Sequence, residues 1–417
     1  MRRGVTAGTV IALVLAGLVL TGMLPVLLHF SGSPGTFARG EDVPAAAQAP
    51  PTARAAAQPT PAPTAAPAPA QPSDRRFTLT AGGTVAVEKA VRNGGYYADS
   101  RTYDFDEVFS LLRQDVQADI TLVSLENLVV DGAKSYSDLL APAPVMRMLQ
   151  KGGFDTVALG FKRAWEQGTD GMASTLNQAR AAGLQPIGAF DSEGAAAPAA
   201  QIRTVNGVRV ALMHFTASPS KTSASKIKKD GRLTLYPTTD QAPAAIAAAR
   251  AAGAEAVIVS VHWGSEGNAT PTKAQRKVAA QLADAGADVI IGYGARRVQT
   301  AEWLTGTLPD GTPHQTLCAW CLGCLLSESR SDGAVAGMLL HLTIRVDRTG
   351  GVHIDRAAYT PTFVWRYDFN GKNAYRVVST VRDAPDGMTQ DQRSAFGKAL
   401  ERTRKNLRDA PLTEVLP

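Results

Sequence analysis

The chain has 417 residues and a formal net charge of +6, from 43 Lys and Arg against 37 Asp and Glu. That length holds one large domain or two small ones, and an apolar share of 45% suits a folded globule. The positive excess is small and scattered and no nucleic-acid-binding motif accompanies it, so nucleic acid is not an expected partner. Three cysteines, all inside CAWCLGC (Cys318 to Cys324), exclude an extensive disulfide framework.

In chain order, Met1-Arg2-Arg3 is followed by GVTAGTVIALVLAGLVLTGMLPVLLHF, uncharged over 27 residues. That exceeds the ~20 residues needed to span a bilayer. Residues 1–30 are therefore expected to form a membrane anchor, with a cleaved signal peptide as the alternative. Arg2 and Arg3 hold the N-terminus in the cytoplasm by the positive-inside rule, which puts the remainder outside the cell membrane. Residues 31–74 are rich in Ala, Pro, Thr and Gln. Too few large apolar groups are present to offset ordering entropy, so this stretch reads as a linker favouring extended polyproline II.

From Arg75 the pattern changes. Apolar strand candidates FTLTAG, DITLVSLE, FDTVALG, VRVALMHF, EAVIVSVHWG and ADVIIGYG alternate with helix candidates PVMRMLQKG, GMASTLNQARAAG, APAAIAAARAAG and KAQRKVAAQLADAG. Such alternation predicts an α/β fold in layers. Several of the helices end in Gly, which suits a left-handed C-cap. Asn206-Gly207 reads as a hairpin turn, which makes the sheets mixed, and DRTGG joins a second hairpin from MLLHLTIRVD to GVHIDRAAYT. The domain is expected to occupy 75–385, with TQDQRSAFGKALERTRKNL as a closing helix within a C-terminal segment 386–417.

Lys162 and Arg163 place two adjacent cations where the strand FDTVALG opens into a loop. In α/β proteins sites are built at such strand ends. Four more segments lie at strand ends: TAGGTVA (Thr80 to Ala86), VSLENLV (Val123 to Val129), VSVHWGSEG (Val259 to Gly267) and IGYGARRVQTAE (Ile291 to Glu302). Together with CAWCLGCLLS and the late YTPTFVWR…YRVVS, in this order and spacing, they resemble the bacterial CapA family over about Phe77 to Ser379. The resemblance implies a calcineurin-like metallophosphatase fold, an α/β/β/α sandwich with mixed sheets, and a role in poly-γ-glutamate capsule synthesis.

The family's metal-ligand pattern is largely replaced in this chain. Its opening Gly-Asp falls on Gly82-Gly83, its Asn-Leu-Glu on Ser124-Leu125-Glu126, and its Asn-Asn-His on Phe161-Lys162-Arg163. Ser260-Val261-His262-Trp263-Gly264 matches intact, with Glu266 two residues on. The Gly-His-His-Pro-His run falls on Gly292-Tyr293-Gly294-Ala295-Arg296, followed by Arg297 and by the matching Gln299 and Glu302, and Ser-Leu-Gly-Asn-Phe becomes Cys321-Leu322-Gly323-Cys324-Leu325. A guanidinium has no lone pair to offer a metal, and an ammonium has none until it loses its proton. Only Glu126 and His262 remain as donors, too few for the two-ion clamp of metallophosphatase chemistry. No metal and no cofactor are therefore expected.

The resemblance leads to a pseudoenzyme reading: a membrane-anchored, extracytoplasmic factor that binds or assembles an anionic envelope polymer, poly-γ-glutamate or a similar one, beside capsule-synthesis membrane partners. Lys162, Arg163, Arg296 and Arg297 are its anion-binding candidates, because fixed cations, Arg above all, bind carboxylate and phosphate. The alternative for these four is solvated charge on loops. The competing function is hydrolysis of a phosphoester or amide bond, with His262 as general base oriented by Glu126 or Glu266. His262 and Glu126 have structural roles as their alternatives. The three cysteines are expected as small buried groups, with a Cys321–Cys324 disulfide, or metal ligation joined by His314, as alternatives.

Overall fold

The computed structural model describes residues 73–190, 200–229, 238–331 and 333–416. The expected anchor at 1–30 and residues 31–72 of the expected linker lie outside them. Among the described residues no helix is long and apolar enough to cross a membrane.

Strand β1 (Arg75–Val85) leads to helix α1 (Lys89–Gly94) and the short pair β2 (Tyr96–Tyr97) and β3 (Thr102–Tyr103). Next come β4 (Ile120–Leu125), the short β5 (Leu128–Val129) and β6 (Leu140–Ala141), α2 (Pro144–Lys151), β7 (Thr156–Ala158), α3 (Gly168–Ala181) and β8 (Gln185–Ile187). The middle of the chain supplies β9 (Ala200–Val205), β10 (Val208–Thr216), α4 (Lys221–Lys229), α5 (Ala242–Ala251), β11 (Ala256–His262), α6 (Lys273–Asp284) and β12 (Val289–Tyr293). The last third holds β13 (Ala301–Thr307), β14 (Pro313–Ala319), β15 (Cys324–Leu326), β16 (Ala336–Val346), β17 (Val352–Phe369), β18 (Lys372–Ser379), α7 (Gln390–Asn406) and β19 (Thr413–Glu414).

These strands build two large mixed sheets. The first runs β18-β17-β16-β1-β4-β7-β8, with β15 beside β1 and β19 beside β17; the second runs β13-β14-β12-β11-β10-β9. The pairs β1/β4, β4/β7 and β7/β8, and likewise β10/β11 and β11/β12, are parallel, so these strands deliver their C-terminal ends together. The antiparallel pair β9/β10 turns through Asn206 and Gly207, both at positive φ (49° and 79°), as a two-residue hairpin loop requires.

Alternation sorts side chains into layers. Leu79, Leu122, Leu212, Ile258, Ile291 and Leu340 fill the space between the sheets. The opposite face of the first sheet is covered by α2 and α3 through residues such as Val145, Leu149 and Leu176. Helices α5 and α6 cover the second through Ile246, Ala279 and Leu282. Each such buried Val, Leu or Ile side chain contributes ~1.5–3 kcal/mol, and the result is a helix-sheet-sheet-helix stack. The segment 386–417 packs on the same body: Phe396 of α7 meets Phe363 edge-on, and β19 pairs with β17 while Glu414 accepts from the Tyr359 hydroxyl at 3.0 Å.

Candidate functional site

The layer between the sheets changes character at one end. The inward-facing series Leu79, Ala81 gives way to Thr84; Ile120, Leu122 to Ser124; Val210, Leu212 to His214; Ala256, Ile258 to Ser260 and His262; and Val289, Ile291 to Tyr293. All of these polar residues are buried. They form a polar floor at the C-terminal ends of the parallel strands, where the loops carrying Glu88, Glu126 and Arg296 meet above it.

Arg296 closes this site. Its Nε and Nη2 donate to Glu126 Oε2 at 2.9 and 2.6 Å, and Nη1 donates to Glu88 Oε1 at 2.8 Å. Glu266, largely exposed, lies 3.6 Å from the same guanidinium. One cation thus faces three carboxylates. Glu88 is held in turn by Ser327 Oγ and the Glu328 amide, both donating to its Oε2 at 2.9 Å. The exit of β1 is fixed by the buried Asn127, whose Oδ1 accepts from the Val87 amide at 2.7 Å. Arg296 itself sits at φ 54°, a left-handed conformation uncommon for a residue with a β-carbon.

His262 stands on the other side of Glu126, with Nδ1 3.7 Å from Glu126 Oε1, too long for a hydrogen bond. Among the described residues neither atom has a hydrogen-bond partner, nor do Ser124 Oγ and Tyr293 OH. Burial, reinforced by the charges of Arg296 and Lys162, pushes His262 down to about 3, so its imidazole is neutral near pH 7. Burial pushes the Glu126 carboxyl up against the opposing pull of Arg296, and the net direction is upward. Burial also works against the charge on Arg296, but Glu126 and Glu88 outweigh it and hold the guanidinium protonated. His214 is fully satisfied by Ser260 Oγ at 2.7 Å and the Gly160 carbonyl at 3.0 Å, which makes it a strut of the floor.

The structure therefore brings Arg296, Glu126 and His262 together. Lys162 is exposed but close enough to act on His262 electrostatically. Arg163 turns instead to Glu166, with Nε and Nη2 each 2.9 Å from its Oε2. Arg297 reaches the Gly267 carbonyl at 3.3 Å, and its Nε is buried without a partner. Gln299 is a loop anchor, donating to the Asn268 and Thr270 carbonyls at 3.0 and 3.1 Å and accepting from Gln275. Glu302 pairs with Arg276 on the surface. Trp263 stacks on Trp320 and donates to its carbonyl at 2.9 Å, so the residue after His262 is a packing group.

Glu88, Ser124, Thr84 and Tyr293 were not among the sequence-based candidates. The signal for Ser124 and Tyr293 was the alternation itself: each is the polar residue that continues an inward-facing apolar series. Thr84 is out of step with Leu79 and Ala81, because the register of β1 shifts between Ala81 and Thr84. Glu88 had no such signal, since its role depends on Arg296 arriving from a loop far away in sequence.

A divalent-metal pair does not fit this arrangement. Among the described residues no group of three or more His, Cys, Asp or Glu is placed to hold a metal ion. Glu126, the acid retained at a metal-ligand position of the resemblance, already gives an oxygen to a tethered cation. The three cysteines are reduced and buried, Cys318 on β14 and Cys324 opening β15, so the alternative of a Cys321–Cys324 disulfide is not realised. His314 bonds the Ala287 carbonyl at 3.0 Å.

Residues 78–329 match the family described as bacterial capsule synthesis protein PGA_cap. The PGA biosynthesis protein CapA of Bacillus subtilis (strain 168) is 29% identical over 163 residues, 39% of this chain and 42% of that protein. The capsule biosynthesis protein CapA of Bacillus anthracis is 27% identical over 167 residues, again 39% of this chain and 40% of the relative. The chain thus matches less than half the length of these curated relatives. Among solved structures, the Haemophilus influenzae NAD nucleotidase superposes with a TM-score of 0.42 at 14% identity, covering 81% of this chain and 64% of that one. With the family match extending over more than half of the chain, including every strand of the second sheet, the chain belongs to the bacterial capsule synthesis protein PGA_cap family.

Proposed function

We propose that this protein serves the synthesis of a capsule or poly-γ-glutamate-type envelope polymer as a non-catalytic binding or assembly factor. It uses a metallophosphatase-type scaffold in which Arg296 has taken over the work of bound metal. The segment 1–30 anchors it in the cell membrane with the globular domain outside, beside membrane partners of polymer synthesis. The observation that carries the non-catalytic part is the clamp of Arg296 on Glu126 and Glu88. It supplies the strand-end carboxylates with a permanent cation and leaves only His262 Nδ1 and one oxygen of Glu126 uncommitted among the matched ligand positions.

Polymer carboxylates are met at the rim of the site. Lys162 is exposed there and Arg163 is about half exposed, while its partner Glu166, 18% exposed, is also held by Ser220 Oγ at 2.8 Å and so keeps a donor when Arg163 turns to a polymer carboxylate. Arg297 extends the same rim. Arg296 contributes less to anion binding than its position in the sequence implies, because its donors are already engaged. The test is equilibrium binding of purified poly-γ-glutamate at several salt concentrations. Binding that weakens with salt and falls in the Lys162→Ala and Arg163→Ala double variant supports this reading; binding indifferent to both overturns it.

A hydrolytic reading has one observation in its favour: a neutral imidazole with a free nitrogen beside a carboxylate. The same burial that keeps His262 neutral makes it a weak base. The binding role is therefore the better supported of the two.

A further inference from the structure

A second groove, sharing no residue with the strand-end site, runs between the α1–β3 segment and the β17–β18 hairpin. Its volume is about 390 Å³, inside the usual ~300–1,000 Å³ of small-molecule sites. Among the described residues three aromatic side chains are exposed, and two of them line this groove: Tyr97, 46% exposed, and Phe369, 50% exposed. Tyr367 adds a third ring. Two consecutive glycines create the close approach. A β-carbon on Gly94 would lie 2.3 Å from the Asn373 carbonyl oxygen, and one on Gly95 would lie 2.2 Å from the Phe105 ring.

The charges around the groove nearly cancel. Asp106 meets Arg147 at 2.9 Å and also Lys151, Asp104 lies 3.5 Å from Arg147, and Glu107 accepts from Arg376 at 2.8 Å. Three carboxylates thus face three cations, and Lys372, 6.0 Å from the Tyr97 ring centroid, adds one further positive charge, so a polycation finds no net attraction and a polyanion finds little. Arg376 lies over the Tyr367 ring at 5.4 Å, and its Nε has no hydrogen-bond partner among the described residues. An added peptide strand is also poorly served, because the edge strand β18 already donates from the Val377 amide to the Val108 carbonyl at 2.8 Å.

We infer that this groove binds a neutral, hydroxyl-rich saccharide chain. Sugar rings present C–H faces that stack on exposed aromatic rings, and their hydroxyls donate to carboxylates and accept from guanidinium and ammonium groups without needing net charge. The site is independent of the polymer-carboxylate rim proposed above. It gives an envelope factor a second foothold, on glycan.

The test is calorimetric titration of the purified protein with neutral linear tetrasaccharides of glucose and of N-acetylglucosamine, with poly-γ-glutamate as the charged comparison. The inference predicts millimolar or tighter binding of at least one saccharide. Tyr97→Ala and Phe369→Ala should each weaken it by about tenfold or more, while Tyr97→Phe, which keeps the ring face, binds as the native chain does. The response to poly-γ-glutamate should be the same in all variants. Both rings are exposed, so the melting temperature is expected to be unchanged. Failure of every saccharide to bind, or equal binding by the double alanine variant, overturns the inference.

Discussion

Arg296 places two nitrogens on a single oxygen of Glu126, at 2.6 and 2.9 Å, across the gap between the two sheets. Its third contact, to Glu88, fixes the exit of β1 in the same stroke. Removing one partner of a buried ion pair leaves the other charge without compensation, at a cost of ~3–5 kcal/mol. Arg296→Ala should therefore be strongly destabilising in urea denaturation. Adding Glu126→Gln to it should recover part of the loss, and the double-mutant cycle measures the coupling.

Gly294, at φ 96°, sits where a β-carbon would come within 2.7 Å of the Trp263 carbonyl oxygen and 3.0 Å of the His262 ring. Gly294→Ala combines left-handed strain with a push on His262. A loss of ~1–3 kcal/mol is expected, together with displaced His262 resonances in NMR spectra.

Two buried histidines and one half-buried set a pH dependence of stability. His214 and His262 are pushed down to about 3 and His341 to about 4 from an ordinary 6.5, chiefly by burial. Between those values and 6.5 the unfolded chain binds protons that the native one refuses, so stability is fully present above about 6.5 and is lost as pH falls. Each histidine contributes a slope of about 1.4 kcal/mol per pH unit in that window. The raised carboxyl of Glu126 works in the opposite direction just above its ordinary value. Urea midpoints should fall between pH 7 and pH 5, and the imidazole signals of His214 and His262 should not titrate over that range in the folded protein.

Cys318, Cys321 and Cys324 are fully buried, and burial raises all three thiols, Cys321 to about 11. Thiolate is the reactive form. A chromogenic disulfide reagent should titrate none of them rapidly in the native state and three in denaturant. A rapid native reaction would show that the strand-end loops open.

Much of this architecture was legible because alternation and turn chemistry are local. DITLVSLE, VRVALMHF and EAVIVSVHWG all form strands, and Asn206-Gly207 makes the expected turn. A second Asn-Gly turn, Asn370-Gly371 between β17 and β18, carries the same signature. The meeting of Glu126 with His262 followed from both standing at strand ends. The partners of the cations did not follow. Arg163 finds Glu166 three residues on, whereas Arg296 finds Glu88 and Glu126 from 208 and 170 residues away. A basic residue in sequence reads as an open charge, and only the fold shows which carboxylate already holds it.

The central claim, that a tethered guanidinium has replaced metal chemistry at the strand ends, is tested most directly by one paired measurement. The protein is purified without chelator, its metal content is determined by elemental analysis, and the same sample is assayed for phosphodiesterase turnover with added manganese. The account predicts no stoichiometric metal and no turnover above the level of an Arg296→Ala, His262→Ala control. Near-stoichiometric metal together with turnover would contradict it.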